Sequence, residues 1–309
     1  MGINISTIFL IIKYQRTERA VLMKGKNKYF TDYDFEEAYQ KQIDNLQQAE
    51  IERLMKNRKG IAYQTKTTKA GNQLEADIYP AFGNRQDAPR TKRGNKSRPA
   101  QKNLNDKRAK RYLNNLISAN FGKGDIWATF TYDEEHLPES PEDADRIFAN
   151  YIRRINRRRR KAGKDNAKYI VVTEWSDDEE KGIRCHHHVI IDGSNDRDEL
   201  ENLWRQGSRN HTRRIDPDPD THAAGIANYI TKDPHGRKRW RASKNLKKPI
   251  VTKSYSRFGK RTAERMATDR GYLEERITKA YPGYKFIDAE VKINDINGGF
   301  YIYARLRRD

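Results

Sequence analysis

His186, His187 and His188 stand in a row and are followed by Val189, Ile190 and Ile191. The β-branched neighbours predict a strand, in which alternate side chains share a face. His186 and His188 therefore point the same way, about 7 Å apart along the chain, which suits a grip on one divalent cation. His187 points to the opposite face, and so does Cys185. Cys185 is the only cysteine in the chain, so a thiolate zinc site is disfavoured and no internal disulfide can form. A hard cation such as Mg²⁺ or Mn²⁺ needs a carboxylate beside the imidazoles. Tyr169–Glu174 reads as the preceding strand, and its last residue, Glu174, is placed to supply one across an antiparallel hairpin.

A second constellation lies about 40 residues downstream. Thr221 to Lys232 reads as a helix that Pro234 must end, with Tyr229 and Lys232 as neighbours at i and i+3. A phenol of ordinary pKa, about 10, is a poor nucleophile at neutral pH, and a nearby cation stabilises its anion. His222 falls on a similar face and is read as a spectator. From Arg237 to Lys260 the chain carries ten basic residues and no acid. Arg237, Lys238, Arg239, Arg241, Lys244, Lys247 and Lys248, with Asn245, suit contacts to phosphates, and the interleaved aromatic Trp240 suits stacking on an unpaired base. His-x-His alone or Tyr-x-x-Lys alone is common and often structural. The order of the parts carries the specificity.

The elements that must position these residues are legible from periodicity. Ile126–Tyr132 is rich in aromatic and β-branched residues and reads as a strand. Ser140 followed by Pro141, Glu142 and Asp143 opens a helix, which ends in a basic knob at Arg157–Arg160. Asp196 and Glu199 open another. Upstream, Ala109, Tyr112, Leu113, Leu116 and Ile117 lie on one helical face. Asp34 and Glu37 begin a further amphipathic helix running through Phe35, Ala38, Tyr39, Ile43 and Leu46 to a stop at Gly60. The last fifty residues predict a short helix and two strands around Asn297-Gly298-Gly299. Helices and strands mix without regular alternation, so the expected class is α+β, an antiparallel sheet with packed helices. Residues 1–75 read as an N-terminal extension and 76–309 as the functional domain, which includes a basic linker over 85–107.

Taken in order, the Trp-Ala-Thr-Phe-Thr-Tyr strand, the strand ending in Glu174, the His-x-His strand and the Tyr-x-x-Lys helix resemble the motifs of the HUH superfamily of single-strand endonucleases. They are most similar to its single-tyrosine rolling-circle replication initiators of phages, plasmids and integrative elements. The resemblance spans roughly 76–309 and is strongest over 168–249. It implies an RRM-like or ferredoxin-like core, a Mg²⁺ or Mn²⁺ ion on His186, His188 and Glu174, and Tyr229 as nucleophile assisted by Lys232. It further implies a nickase and strand-joining enzyme acting through a 5′-phosphotyrosine on single-stranded or unwound origin DNA. One departure is His187, where the family usually has an apolar residue. The chain contains no Gly-x-x-x-x-Gly-Lys-[Ser/Thr] motif, so a host helicase and polymerase are the expected partners. A conjugative relaxase, a single-strand transposase and a non-catalytic nucleic-acid-binding module are the alternatives.

Composition agrees with a polyanionic partner. The 309 residues, one or two domains' worth, hold 63 Lys and Arg against 43 Asp and Glu, a net charge of +20. Ile8–Ile12 is the kind of short apolar run the chain offers, far below the roughly 18 residues of a membrane span. A cytoplasmic protein without membrane contact is expected.

Overall fold

The computed structural model describes residues 40–56, 62–81, 99–175, 184–216, 240–295 and 297–308. In chain order the elements are β1 (Gln40–Gln42), α1 (Gln48–Lys56), β2 (Ala62–Ala70), β3 (Gln73–Ala81), α2 (Pro99–Asn120), β4 (Ile126–Thr131) and α3 (Pro141–Lys161). There follow β5 (Tyr169–Glu174), β6 (His186–Ile191), α4 (Arg197–Trp204), β7 (His211–Arg214), β8 (Arg241–Ala242) and β9 (Ile250–Ser254). The chain closes with α5 (Lys260–Thr268), α6 (Arg270–Ala280), β10 (Lys285–Asn294) and β11 (Phe300–Arg307). The class is α+β, with two antiparallel sheets and helices packed on them.

The sheet that carries the histidines has the order β7-β4-β6-β5-β8. Its first four strands, with α3 between β4 and β5 and α4 between β6 and β7, trace the split βαβ pattern of ferredoxin-like folds. The His-x-His strand β6 is thereby central, paired with β4 on one side and β5 on the other. One face carries Phe130, Val189 and Ile191 against Phe148 and Tyr151 of α3 and Trp204 of α4. The reverse face carries Trp127, Ile170 and Ile190 against Leu113, Leu116 and Ile117 of α2. Strand alternation thus gives β6 two buried faces, and only its first residues reach an open edge.

The second sheet, β1-β10-β11-β3-β2-β9, is built from both ends of the described chain. Its core packs Tyr63, Leu74, Ile78, Val291 and Ile302 against α5 and α6 through Met266, Leu273 and Ile277. Residue 75, where the sequence division was drawn, lies inside β3, which is bonded to both β2 and β11. Helix α2 joins the two sheets. Beside its contacts to the first sheet, its Arg111 bridges Glu75 and Asp77 of β3 at 2.7 and 2.6 Å. Gly71, at φ +58°, turns β2 into β3 against α2, where a Cβ would stand 2.1 Å from the Ser118 carbonyl oxygen.

Several local expectations are corrected. The helix expected from Asp34 is, over its described residues, strand β1, a 3-10 turn at Ile43–Asn45 and α1. Lys41 lies opposite Ile293, and β-pairing overrides the helical period there. The linker assigned to 85–107 is helical from Pro99, because the apolar face further along supports the polar first turns. Two helices, α5 and α6, stand where one was expected near the C-terminus; Asp269 ends one and caps the other by accepting from Tyr272 N at 2.9 Å.

Helix α3 starts as its residues dictate: Ser140 Oγ accepts from Asp143 N at 3.1 Å. Its basic end is not wholly a solvated knob. Arg159 is 2% exposed and its Nη1 donates to both Asp192 carboxylate oxygens at 2.9 and 2.8 Å. Lys168 N, beside the start of β5, donates to the same carboxylate at 2.6 Å. Burial opposes ionisation of Asp192, but the bonds from Arg159, Ser194 and Lys168 outweigh it and hold the carboxyl below its usual range. A carboxyl depressed by folding adds stability above its unfolded pKa of about 3.9 and loses it as pH falls through the folded value. Arg159→Met, which leaves Asp192 without its partner, is predicted to cost about 3 kcal/mol in urea unfolding at pH 7. The Asp192→Asn protein should lose less stability than the wild type between pH 5 and the acid transition.

Candidate metal centre

Glu174 and His186 face each other across β5 and β6, with His188 opposite Val172. On the other side of β6, Thr131 faces His186 and Thr129 faces His188. The antiparallel register therefore delivers three donors to one point at the end of the central strands. Glu174 Oε2 lies 3.0 Å from His186 Nε2 and 3.2 Å from His188 Nε2. The two Nε2 atoms are 3.0 Å apart. Adjacent ligands of an octahedral ion with bonds of about 2.1 Å are separated by about 3.0 Å, so these donors are spaced as one face of such a shell. Two imidazoles and a carboxylate form a donor set for a divalent ion, with no soft sulfur donor among them. No other group of three His, Cys, Asp or Glu donors converges this way among the described residues.

The far side of each ring is held. His186 Nδ1 lies 2.8 Å from the Arg184 carbonyl oxygen, to which only a protonated Nδ1 can bond. That tautomer leaves the Nε2 lone pair directed at the cluster, as a metal ligand requires. His188 Nδ1 meets Thr129 Oγ1 at 3.2 Å, and the ring stacks on Trp127 with centroids 5.6 Å apart and planes at 13°. His188 side-chain exposure is 4% against 20% for His186, so one donor is buried and the cluster opens on the other's side. Trp127 and Thr129 were not singled out as supports by sequence. The signal was present: alternation in β4 puts 127, 129 and 131 on the face that β6 uses for 186 and 188.

His187 turns into the core, as the alternation implied. It is fully buried, with Nε2 at 2.7 Å from Tyr132 Oη and Nδ1 at 3.0 Å from Thr173 Oγ1. Burial drives its pKa well below the ordinary value, and Arg241, His186 and His188 add to the shift. Burial likewise raises Tyr132 and pushes the Cys185 thiol up to about 12, with Asp145 contributing. His187 is thus a neutral strut whose two nitrogens are both occupied, and burial favours the thiol form of Cys185 over the thiolate.

The remaining candidates divide. Tyr229, Lys232, Arg237, Lys238 and Arg239 lie outside the described residues. Trp240 is half-buried, its ring stacked over Tyr112 at 6.5 Å, and it packs on the core beneath α2. Arg241, expected to hold phosphate, is instead paired with Asp145 at 2.6 Å and reaches Thr173 Oγ1 at 3.4 Å. Its place in β8 beside β5 aims it inward, which composition could not show. Asn245 donates to the Asn166 carbonyl oxygen at 3.0 Å. The Lys247 backbone is held by Asn120 at 2.7 and 2.8 Å, which leaves its side chain exposed with those of Lys244 and Lys248. Tyr132→Phe strips His187 of one partner in a dry core, and is predicted to lower stability by about 1–3 kcal/mol, read by chemical denaturation.

Residues 125–234 match the family model of the replication-associated protein ORF2/G2P. No curated protein and no solved structure matches the chain. The matched segment runs from the start of β4 past Glu174, His186 and His188 and covers Tyr229 and Lys232. Over that segment the chain is similar to proteins of a replication-initiator family.

Proposed function

We propose that the protein is a metal-dependent single-strand DNA nickase and joining enzyme that starts rolling-circle replication. The observation that carries this reading is the convergence of Glu174, His186 and His188 within hydrogen-bonding distance of one another at one end of a central strand. The replication-initiator match over the same segment supports it. When bound there, Mg²⁺ or Mn²⁺ supplies a positive charge that polarises the scissile phosphate and offsets the charge developing on it.

The chain's own part is nucleophilic. Tyr229 Oη forms a bond to phosphorus as the bond from phosphorus to the 3′ oxygen breaks. The phenol proton is released, and the departing oxygen takes up a proton to become a free 3′-OH. The product is a 5′-phosphotyrosine on the enzyme, which retains the energy of the diester for a later joining step. Lys232, three residues further along the sequence, stabilises the phenolate and the charge on phosphorus. The exposed Lys244, Lys247 and Lys248 hold backbone phosphates. The exposed 3′-OH serves a host polymerase, with a host helicase opening the duplex.

The test is covalent capture. Labelled single strands tiling the origin of the protein's own element are incubated with the protein and Mn²⁺, then resolved under denaturing conditions. A protein–DNA adduct is expected with the wild type and none with Tyr229→Phe. An adduct that survives that substitution overturns the nucleophile, and no adduct on any strand favours a binding module. By calorimetry, Glu174→Gln is predicted to weaken Mn²⁺ binding beyond the roughly tenfold expected for Thr129→Val, which removes only a supporting bond.

A further inference from the structure

The second sheet carries a cavity of about 520 Å³ remote in the fold from the histidine strand, between the β2–β9 edge and the end of α6. Thr65, Thr67 and Lys69 share one face of β2 and form its floor. Arg257, Tyr281 and Arg308 stand among its walls. Four basic residues line it in all, and no carboxylate or histidine does among the described residues. Every charged group that lines it favours an anion.

The cavity also contains an unpaid polar group. Thr65 is 1% exposed, and its Oγ1 has no hydrogen-bond partner among the described residues. Its neighbour Thr67 does have one, Tyr281 Oη at 2.7 Å. A buried hydroxyl left unbonded carries the desolvation penalty of its group, and an acceptor oxygen brought to it would recover that loss. The cations are oriented by the walls: the Arg257 guanidinium lies 4.9 Å from the Tyr281 ring centroid and that of Arg308 4.8 Å from Tyr284. Such stacking holds the planar groups in place without neutralising them.

We propose that this cavity is a second binding site of the protein, specific for a phosphate group, and that a backbone phosphate of the bound strand is its occupant. The path of the chain argues for a strand. The basic segment that begins at β8, on the edge of the metal sheet, reaches β9 within eight residues and there becomes the cavity's rim. Tyr255, 66% exposed just beyond β9, offers a face on which a base can stack. The strand assignment rests on the nucleic-acid reading above; the phosphate site does not.

The test uses the full chain with Tyr229→Phe, in chelator, so that neither metal nor covalent capture contributes. Anisotropy of a labelled single-stranded oligonucleotide is compared with and without Lys69→Gln plus Arg308→Gln. The expected result is about tenfold weaker binding and a salt dependence shallower by about 0.7, the value for one phosphate no longer neutralised on a single strand, with Mn²⁺ binding, measured separately without chelator, unchanged. In parallel, inorganic phosphate should raise the Tm of the parent protein and not that of the double variant. Thr65→Val is the control for folding: replacing an orphan hydroxyl by a methyl group should leave Tm without phosphate equal or higher while reducing the phosphate response. A phosphate response with unaltered oligonucleotide affinity would assign the site to a free phosphate or nucleotide rather than a strand. No phosphate response and unaltered oligonucleotide affinity would overturn the site. Loss of adduct formation by wild-type protein would instead count against the nickase reading and leave this result standing.

Discussion

The candidate centre depends on the register between β5 and β6. Pairing of Glu174 with His186 sets a carboxylate beside two imidazoles, and a slip of one residue between the strands would leave the carboxylate and the imidazoles on opposite faces. The register is held from behind. His187 is bonded to Thr173 of β5 on one nitrogen and to Tyr132 on the other, so a slip would strand two buried polar contacts. At the far end of the hairpin, Asp192 ties β6 to α3 through Arg159 and to the start of β5 through Lys168. The unusual third histidine is thus part of what aligns the other two.

The division of labour follows from having a central strand with two buried faces. Aromatic packing of Phe130, Phe148, Tyr151 and Trp204 stabilises one side, and α2 covers the other. The donors therefore sit on a rigid platform, and only His186 and Glu174 keep appreciable exposure to solvent or substrate. Two carboxylate–imidazole contacts near 3 Å, and an imidazole pair equally close, form a cluster that a cation would organise better than protons can. The same helix, α2, links this platform to the second sheet through Arg111, so a strand held by both would span surfaces already fixed to each other.

Much of the site was legible in the sequence because it obeys short-range rules. Alternation separated His186 and His188 from His187, and the hairpin placed Glu174 opposite them. Ser140-Pro141 announced α3 within a residue of where it begins. What escaped were long-range effects. Gln40–Gln42 join a strand more than 250 residues away, and Ile250–Ser254 sit beside β2 from the other end of the chain; neither pairing leaves a local periodic trace. Charge was equally ambiguous, since Arg159 and Arg241 look like their solvated neighbours in composition and are distinguished only by buried or paired carboxylates reached through tertiary contacts. Tyr229 and Lys232 lie outside the described residues, and their roles rest on motif and chemistry.

If Glu174, His186 and His188 form one cation site, a soaked ion must sit among all three. Anomalous diffraction from crystals soaked in Mn²⁺ measures this directly. A single strong manganese peak is expected about 2.1–2.3 Å from Glu174 Oε2, His186 Nε2 and His188 Nε2 together, absent from the Glu174→Gln protein. A peak elsewhere, or none at saturating Mn²⁺ with the triad in its present geometry, would contradict it.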